Sequence, residues 1–204
     1  MTASPQVVAP PSAPGRPRIV DRGAIAAGWV GVGMAVTMAM SFLLVIPIEP
    51  VYWALSVPAG LLIGYYANAR SLRAGGPWGR ILANALFAGL VTGITYAILL
   101  LAVKVLFFNV DGGYRDASAG GPLTCASGAD CVYQRYLAAG QGPVFEANGI
   151  TDLATFTTFY WSQQVSNAGL TLVLSVGGAL AGGVLFGLAN RRRPEEAPGD
   201  APAV

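Results

Sequence analysis

Cys125 and Cys131 are the two cysteines of this 204-residue chain, and they enclose Ala126-Ser127-Gly128-Ala129-Asp130. Two thiols this close in an oxidising compartment join to each other. Closing so small a ring removes roughly 2 kcal/mol of unfolded-chain entropy. A redox pair would call for C-x-x-C spacing in thioredoxin-like surroundings, so the expected role is a structural disulfide. Other chemistry is sparse. The chain has no histidine, hence none of the commonest general base, pH switch and metal ligand. Two cysteines alone cannot complete a tetrahedral zinc site. No phosphate-binding G-x-x-x-x-G-K-[ST] loop, dinucleotide fingerprint, H-E-x-x-H or Ser/His pair occurs. Glu49, Asp111, Asp116, Asp130, Glu146 and Asp152 fall singly and read as a solvated face. The expectation is therefore no catalytic, cofactor-binding or metal residue; an enzyme using Asp111, Asp116 and Glu146 is the least supported class.

Hydroxyl-bearing residues do fall at helical spacing. Thr92, Thr95 and Tyr96 share one face, with Asn84 two turns earlier, and Asn167, Thr171 and Ser175 share another. Such faces line a path for a small solute or, more commonly, bond to their own helix or a neighbour for about 0.6 kcal/mol. The second reading is favoured. Lys104 is the one charged residue within the four apolar runs and lies four residues from its run's outer end, where its ammonium is expected to reach the headgroups. A proton relay needs acids inside the membrane, and these runs have none.

The elements that must position these residues follow from composition. The chain is 54% hydrophobic and 11% charged, against roughly 25% charged in a soluble domain. A soluble enzyme of average kind, a disordered regulator and a nucleic-acid binder are excluded, and a membrane protein in contact with a lipid bilayer is the default. Crossing a core of about 30 Å takes on the order of 20 apolar helical residues. Four runs qualify, at 24–46, 51–67, 81–108 and 168–189. The second is short, roughly 25 Å, and the third long, roughly 42 Å.

Arginine placement sets the expected orientation. Arg16, Arg18 and Arg22 precede the first run, Arg70, Arg73 and Arg80 join the second to the third, and Arg191, Arg192 and Arg193 follow the fourth. The opposite side holds Arg115 and Arg135 among the six acids. Basic residues at span ends stay cytoplasmic. Both termini are expected inside a plasma or inner membrane, with Arg70, Arg73 and Arg191–Arg193 as cytoplasmic anchors. Residues 1–22, rich in Pro, Ala and Ser, are expected to be disordered, and 191–204 to form a cytoplasmic tail. The 1–22 segment with the first run does not read as a cleaved signal, because Ile46-Pro47-Ile48-Glu49-Pro50 replaces a small-residue cleavage site. Abundant Ala, Gly and Arg point to a bacterial source.

Short links at Pro47–Pro50 and at Asn68–Gly79, with Gly75, Gly76 and Pro77, place sequential helices side by side. The expected fold class is an all-α membrane protein: four transmembrane helices in an up-down-up-down bundle over 23–190, with a disulfide-pinned extracytoplasmic loop between helices 3 and 4. Gly60/Gly64, Gly89/Gly93 and Gly178/Gly182 recur at four-residue spacing, which suits intramolecular packing better than dimerisation. The resemblance of Gly60–Arg70 to Gly183–Arg191 reads as two helix ends meeting the same needs.

Residues 109–167 are too long for a mere connector and are expected to form an extracytoplasmic cap. Within it 132–139 reads as two helical turns, capped by Asp130 and stopped by Gly140; Thr151 or Asp152 starts another helix. Whether 151–167 lies on the membrane or extends the fourth helix is open. Phe156, Phe159, Tyr160 and Trp161 are expected as interfacial anchors. The leading functional expectation is a non-enzymatic accessory or interaction subunit acting through this cap on a membrane or extracytoplasmic protein, with no cofactor and no nucleic acid. The alternative is a small channel or transporter that assembles as a homo-oligomer.

Overall fold

The computed structural model describes residues 19–44, 49–71, 76–110 and 125–191. The described residues are helical, in the order α1 (Arg22–Leu44), α2 (Glu49–Ala69), α3 (Trp78–Val110), α4 (Ala129–Ala138), α5 (Gly142–Ala147) and α6 (Leu153–Arg191). Expectations placed on 1–18, on the Pro47 turn, on Arg73 and Gly75, on 111–124 and on 192–204 lie outside the described residues.

Three helices are long and apolar enough to cross a membrane: Arg22–Phe42, Trp78–Val110 and Leu153–Asn190. Their outward residues are apolar as well, with Trp29, Ile98, Val165 and Val173 each at least 60% exposed, a surface suited to lipid rather than water. α2 is not one of the three. Its apolar run is diluted by Tyr52, Trp53, Ser56, Tyr65, Tyr66 and Asn68, and Pro58 inside it removes one bond of the helical ladder.

α2 nevertheless packs against α1, α3 and α6. Its contact with α6 explains two of the glycine pairs. A Cβ at Gly60 would strike the Ser175 carbonyl and one at Gly64 the Ala179 carbonyl; reciprocally, Gly178 faces Val57 and Gly182 faces Leu61. Backbone oxygens cannot swing aside, so only hydrogen at Cα allows this approach. The pairing runs forward along both helices, so α2 and α6 are parallel. Gly183 meets Ala85 while Gly93 meets Ser175, which sets α3 antiparallel to α6. The glycine repeats thus lie on contacts within the chain.

α3 and α6 are longer than a bilayer core is thick. At 33 and 39 residues they extend about 50 Å and about 58 Å against a hydrocarbon core of about 30 Å. α6 starts at Leu153 and runs without a break through 168–189, so 151–167 extends the last helix instead of lying along a surface. Its first turn is fixed by Asp152: Thr155 N donates to Asp152 Oδ1 at 2.8 Å and Asp152 N donates to Thr155 Oγ1 at 3.2 Å, a reciprocal cap.

Candidate functional site

The described elements between α3 and α6 fold into a compact head against the protruding ends of both helices. α4 begins at Ala129, one residue before Asp130 and not after it: Gly128, at φ 131°, is the N-cap residue, and Asp130 sits within the first turn without a side-chain cap bond. Asp130 there still favours the positive end of the helix. α4 ends as expected at Gly140, whose φ is 80°, with Gln141 N donating to Tyr136 O and Gly140 N to Leu137 O. The same arrangement closes α5, where Gly149 has φ 68°, Ile150 N donates to Phe145 O and Gly149 N to Glu146 O. In both, glycine supplies the left-handed conformation that an ordinary residue avoids.

Each stop turns the chain so that apolar groups converge. Phe108 from α3, Val132 from α4, Phe145 from α5, Ile150, and Phe156 and Tyr160 from α6 form one buried cluster. Phe156 is fully buried at its centre, with ring centroids of Tyr133 at 5.0 Å, Phe145 at 5.4 Å and Tyr136 at 5.5 Å. Phe108 meets Tyr160 at 4.9 Å and Trp161 at 5.1 Å. Of the four aromatics expected at an interface, then, Phe156 and Tyr160 are enclosed by protein, and Phe159 and Trp161 pack half-buried on the margin. Cys125 and Cys131 are joined, with Cα atoms 5.4 Å apart, and tie the chain entering α4 to its first turn. Cys131 is completely buried.

Beside this cluster an open groove of about 490 Å³ runs between Asn148 and Ile150 on one side and Thr155, Thr158, Phe159 and Ser162 of α6 on the other. Its rim offers amide and hydroxyl groups and its floor an aromatic edge. Neutral contacts of this kind suit a protein or peptide surface. Bonds from Thr155 hold the Asp152 carboxyl below the usual carboxylate range.

The hydroxyl faces are divided among helix contacts. Thr92 bonds Ala88 O at 2.9 Å, Thr95 bonds Val91 O at 2.8 Å and Thr171 bonds Asn167 O at 2.9 Å. Thr92 abuts Gly31 of α1, whereas Ser175 faces Gly60 of α2 and Gly93 of α3. Tyr96 is buried in an apolar cluster with Ala35, Phe42, Tyr52 and Leu100. Arg70 is exposed with its guanidinium carbon 6.0 Å from the Tyr66 ring centroid, and Arg191 closes α6; Arg73, Arg192 and Arg193 lie outside the described residues.

A polar clasp at the end opposite the head went unread in the sequence. Asp21 Oδ2 accepts from Ser71 Oγ at 2.7 Å and Asn84 Nδ2 at 3.1 Å, and Asp21 N donates to Asn84 Oδ1 at 3.0 Å. Asn68 Nδ2 donates to Gly64 O at 3.0 Å and Ile81 O at 3.1 Å. These bonds join the start of α1, the end of α2 and the start of α3. The partners lie up to 63 positions apart, so no local spacing marks them. Among the described residues, no group of three or more Cys, Asp or Glu side chains is placed to hold a metal ion. No protein-family model matches the chain, nor does any curated protein or solved structure.

Proposed function

We propose that the chain is a four-span membrane protein, with both termini cytoplasmic, that serves as a non-enzymatic accessory or interaction subunit through its extracytoplasmic head. One observation carries the reading: two helices continue about 20–28 Å past the thickness of a bilayer core and support a folded, disulfide-tied head with its own aromatic core. A simple connector between spans needs neither the length nor the core. α2, packed between the three apolar helices, is the remaining span in this reading, and the arginine clusters support a cytoplasmic position for its Arg70 end. The bilayer is then that of a bacterial plasma membrane, and the groove along α6 is the surface a partner would meet.

The test is co-purification in mild detergent. A membrane or extracytoplasmic partner is expected to accompany the wild-type chain and to be lost from Thr158→Arg, which fills the groove, but retained with Val173→Leu on the lipid-facing side. A chain that purifies alone under every condition, or a partner indifferent to Thr158→Arg, contradicts the proposal.

A further inference from the structure

On the outer surface of the bundle, α1 and α3 leave a groove of about 210 Å³ lined by Ile25, Gly28, Trp29, Val32, Phe87 and Val91. The two helices run parallel: Asp21 N donates to Asn84 Oδ1, and further along Gly28 faces Phe87 and Val91 while Gly31 faces Thr92. Gly28 forms the floor. A Cβ there would meet the Val91 side chain at 3.4 Å and the Phe87 ring at 3.7 Å, so the depth comes from a missing side chain. Trp29, 73% exposed, and the half-buried Phe87 form the walls. The lining is apolar, yet one end of the groove is charged. Arg22 lies seven residues before Trp29 and Arg80 seven before Phe87. Seven residues are almost two full helical turns, so each arginine shares a helix face with one aromatic wall. The Asp21–Asn84 bond sets Arg22 about level with Asn84, and Arg80 stands one turn nearer the end of the bundle. Neither guanidinium has a hydrogen bond or ion pair among the described residues. The neighbouring Asp21 carboxylate accepts from Ser71 and Asn84.

A second helix is a poor occupant, because close helix contacts in lipid need small residues and here Trp29 and Phe87 hold another backbone away from Gly28. An extended hydrocarbon chain suits the narrow apolar space, and two guanidiniums at its charged end suit a phosphate group. We propose that this groove binds one anionic phospholipid, with an acyl chain between Trp29 and Phe87 and its phosphate on Arg22 and Arg80. The inference rests on the membrane-spanning part of the proposed function and not on a partner for the head.

The test is native mass spectrometry of the full-length protein in neutral detergent with equal amounts of phosphatidylglycerol and phosphatidylethanolamine carrying identical acyl chains. An arginine near an anionic headgroup contributes about fivefold, so two give a preference for phosphatidylglycerol of roughly 30-fold. That preference is expected to vanish in Arg22→Gln/Arg80→Gln and to persist in Arg192→Gln/Arg193→Gln, which removes the same charge from the tail. Val32→Phe fills the groove and is expected to release the lipid with both arginines in place, which covers an arginine variant that folds poorly. Excess inorganic phosphate should leave the lipid bound; displacement would mean that the arginines alone hold the anion, and the proposal falls. It falls equally if the wild-type chain retains both lipids alike, or if the preference survives in Arg22→Gln/Arg80→Gln or in Val32→Phe. A chain extracted from membranes by alkaline carbonate would overturn the membrane reading as well, whereas a membrane-retained chain without lipid preference overturns this site alone.

Discussion

Replacing Phe156 by tryptophan separates two roles that an aromatic residue near a membrane can play. At a lipid–water interface tryptophan is the best-suited side chain, and the exchange would be neutral or favourable. In the head, Phe156 is fully buried and ringed by Tyr133, Phe145, Tyr136 and Tyr160, the farthest with its centroid at 6.1 Å. No open side remains for the larger indole, and overpacking of this kind costs about 1–3 kcal/mol. Taking about 2 kcal/mol, amides of α4 that open with the head exchange roughly 30-fold faster. Phe156→Ala loses more, about 3–5 kcal/mol, because it removes a whole ring from a packed core. Hydrogen exchange followed by mass spectrometry on the protein in nanodiscs reads the segment 131–138 directly, with Val173→Trp on the lipid-facing side as a control that leaves it unchanged. Unaltered or slower exchange in Phe156→Trp would refute the assignment of Phe156 to the core of the head.

Further outcomes follow from the same geometry. Gly64→Ala places a methyl carbon 2.6 Å from the Ala179 carbonyl carbon and is expected to cost about 3 kcal/mol or more, whereas Gly33→Ala, with open space around it, leaves the melting temperature unchanged or slightly higher. Cys131→Ser removes the ring constraint, about 2 kcal/mol, and speeds exchange at the start of α4 before any change in α1 or α3. Asp152 is held below its ordinary value, so its contribution to the start of α6 is fully present above pH about 4 and is lost as acid takes the pH down through the depressed value; exchange at Thr155 and Phe156 should rise over that acid range, and Asp152→Ala should remove the pH dependence.

How much of this was legible in the sequence depends on whether the signal is local. The runs 24–46 and 81–108 coincide closely with α1 and α3 because uncharged apolar length is itself the determinant of a membrane helix. The disulfide was readable from two cysteines in one short loop, and Gly140 from its position after a helical stretch. The helix start at Asp152 was readable as well, but its continuity with the run 168–189 was not, since Thr157, Ser162, Gln163 and Gln164 end the apolar run while the helix continues above it. α5 spans only six residues, too few for periodicity, although Pro143 in its first turn and Gly149 beyond its end mark it in retrospect. Phe156 was ambiguous because aromatic residues serve interfaces and cores alike. The clasp of Asp21, Asn68, Ser71 and Asn84, and the groove between α1 and α3, arise from residues brought together by the fold, and a single sequence does not reveal which distant groups will meet.

The arrangement of the whole chain about the membrane is the claim on which the proposed function depends. Alkaline phosphatase inserted after Gly140, in the exposed turn that closes α4, is expected to be active, and the same enzyme fused after Val204 inactive, with a cytoplasm-restricted fluorescent reporter showing the opposite pattern. Activity of the phosphatase at both positions, or at neither with stable fusions, would place the head and the C-terminus on one side of the membrane and contradict the account.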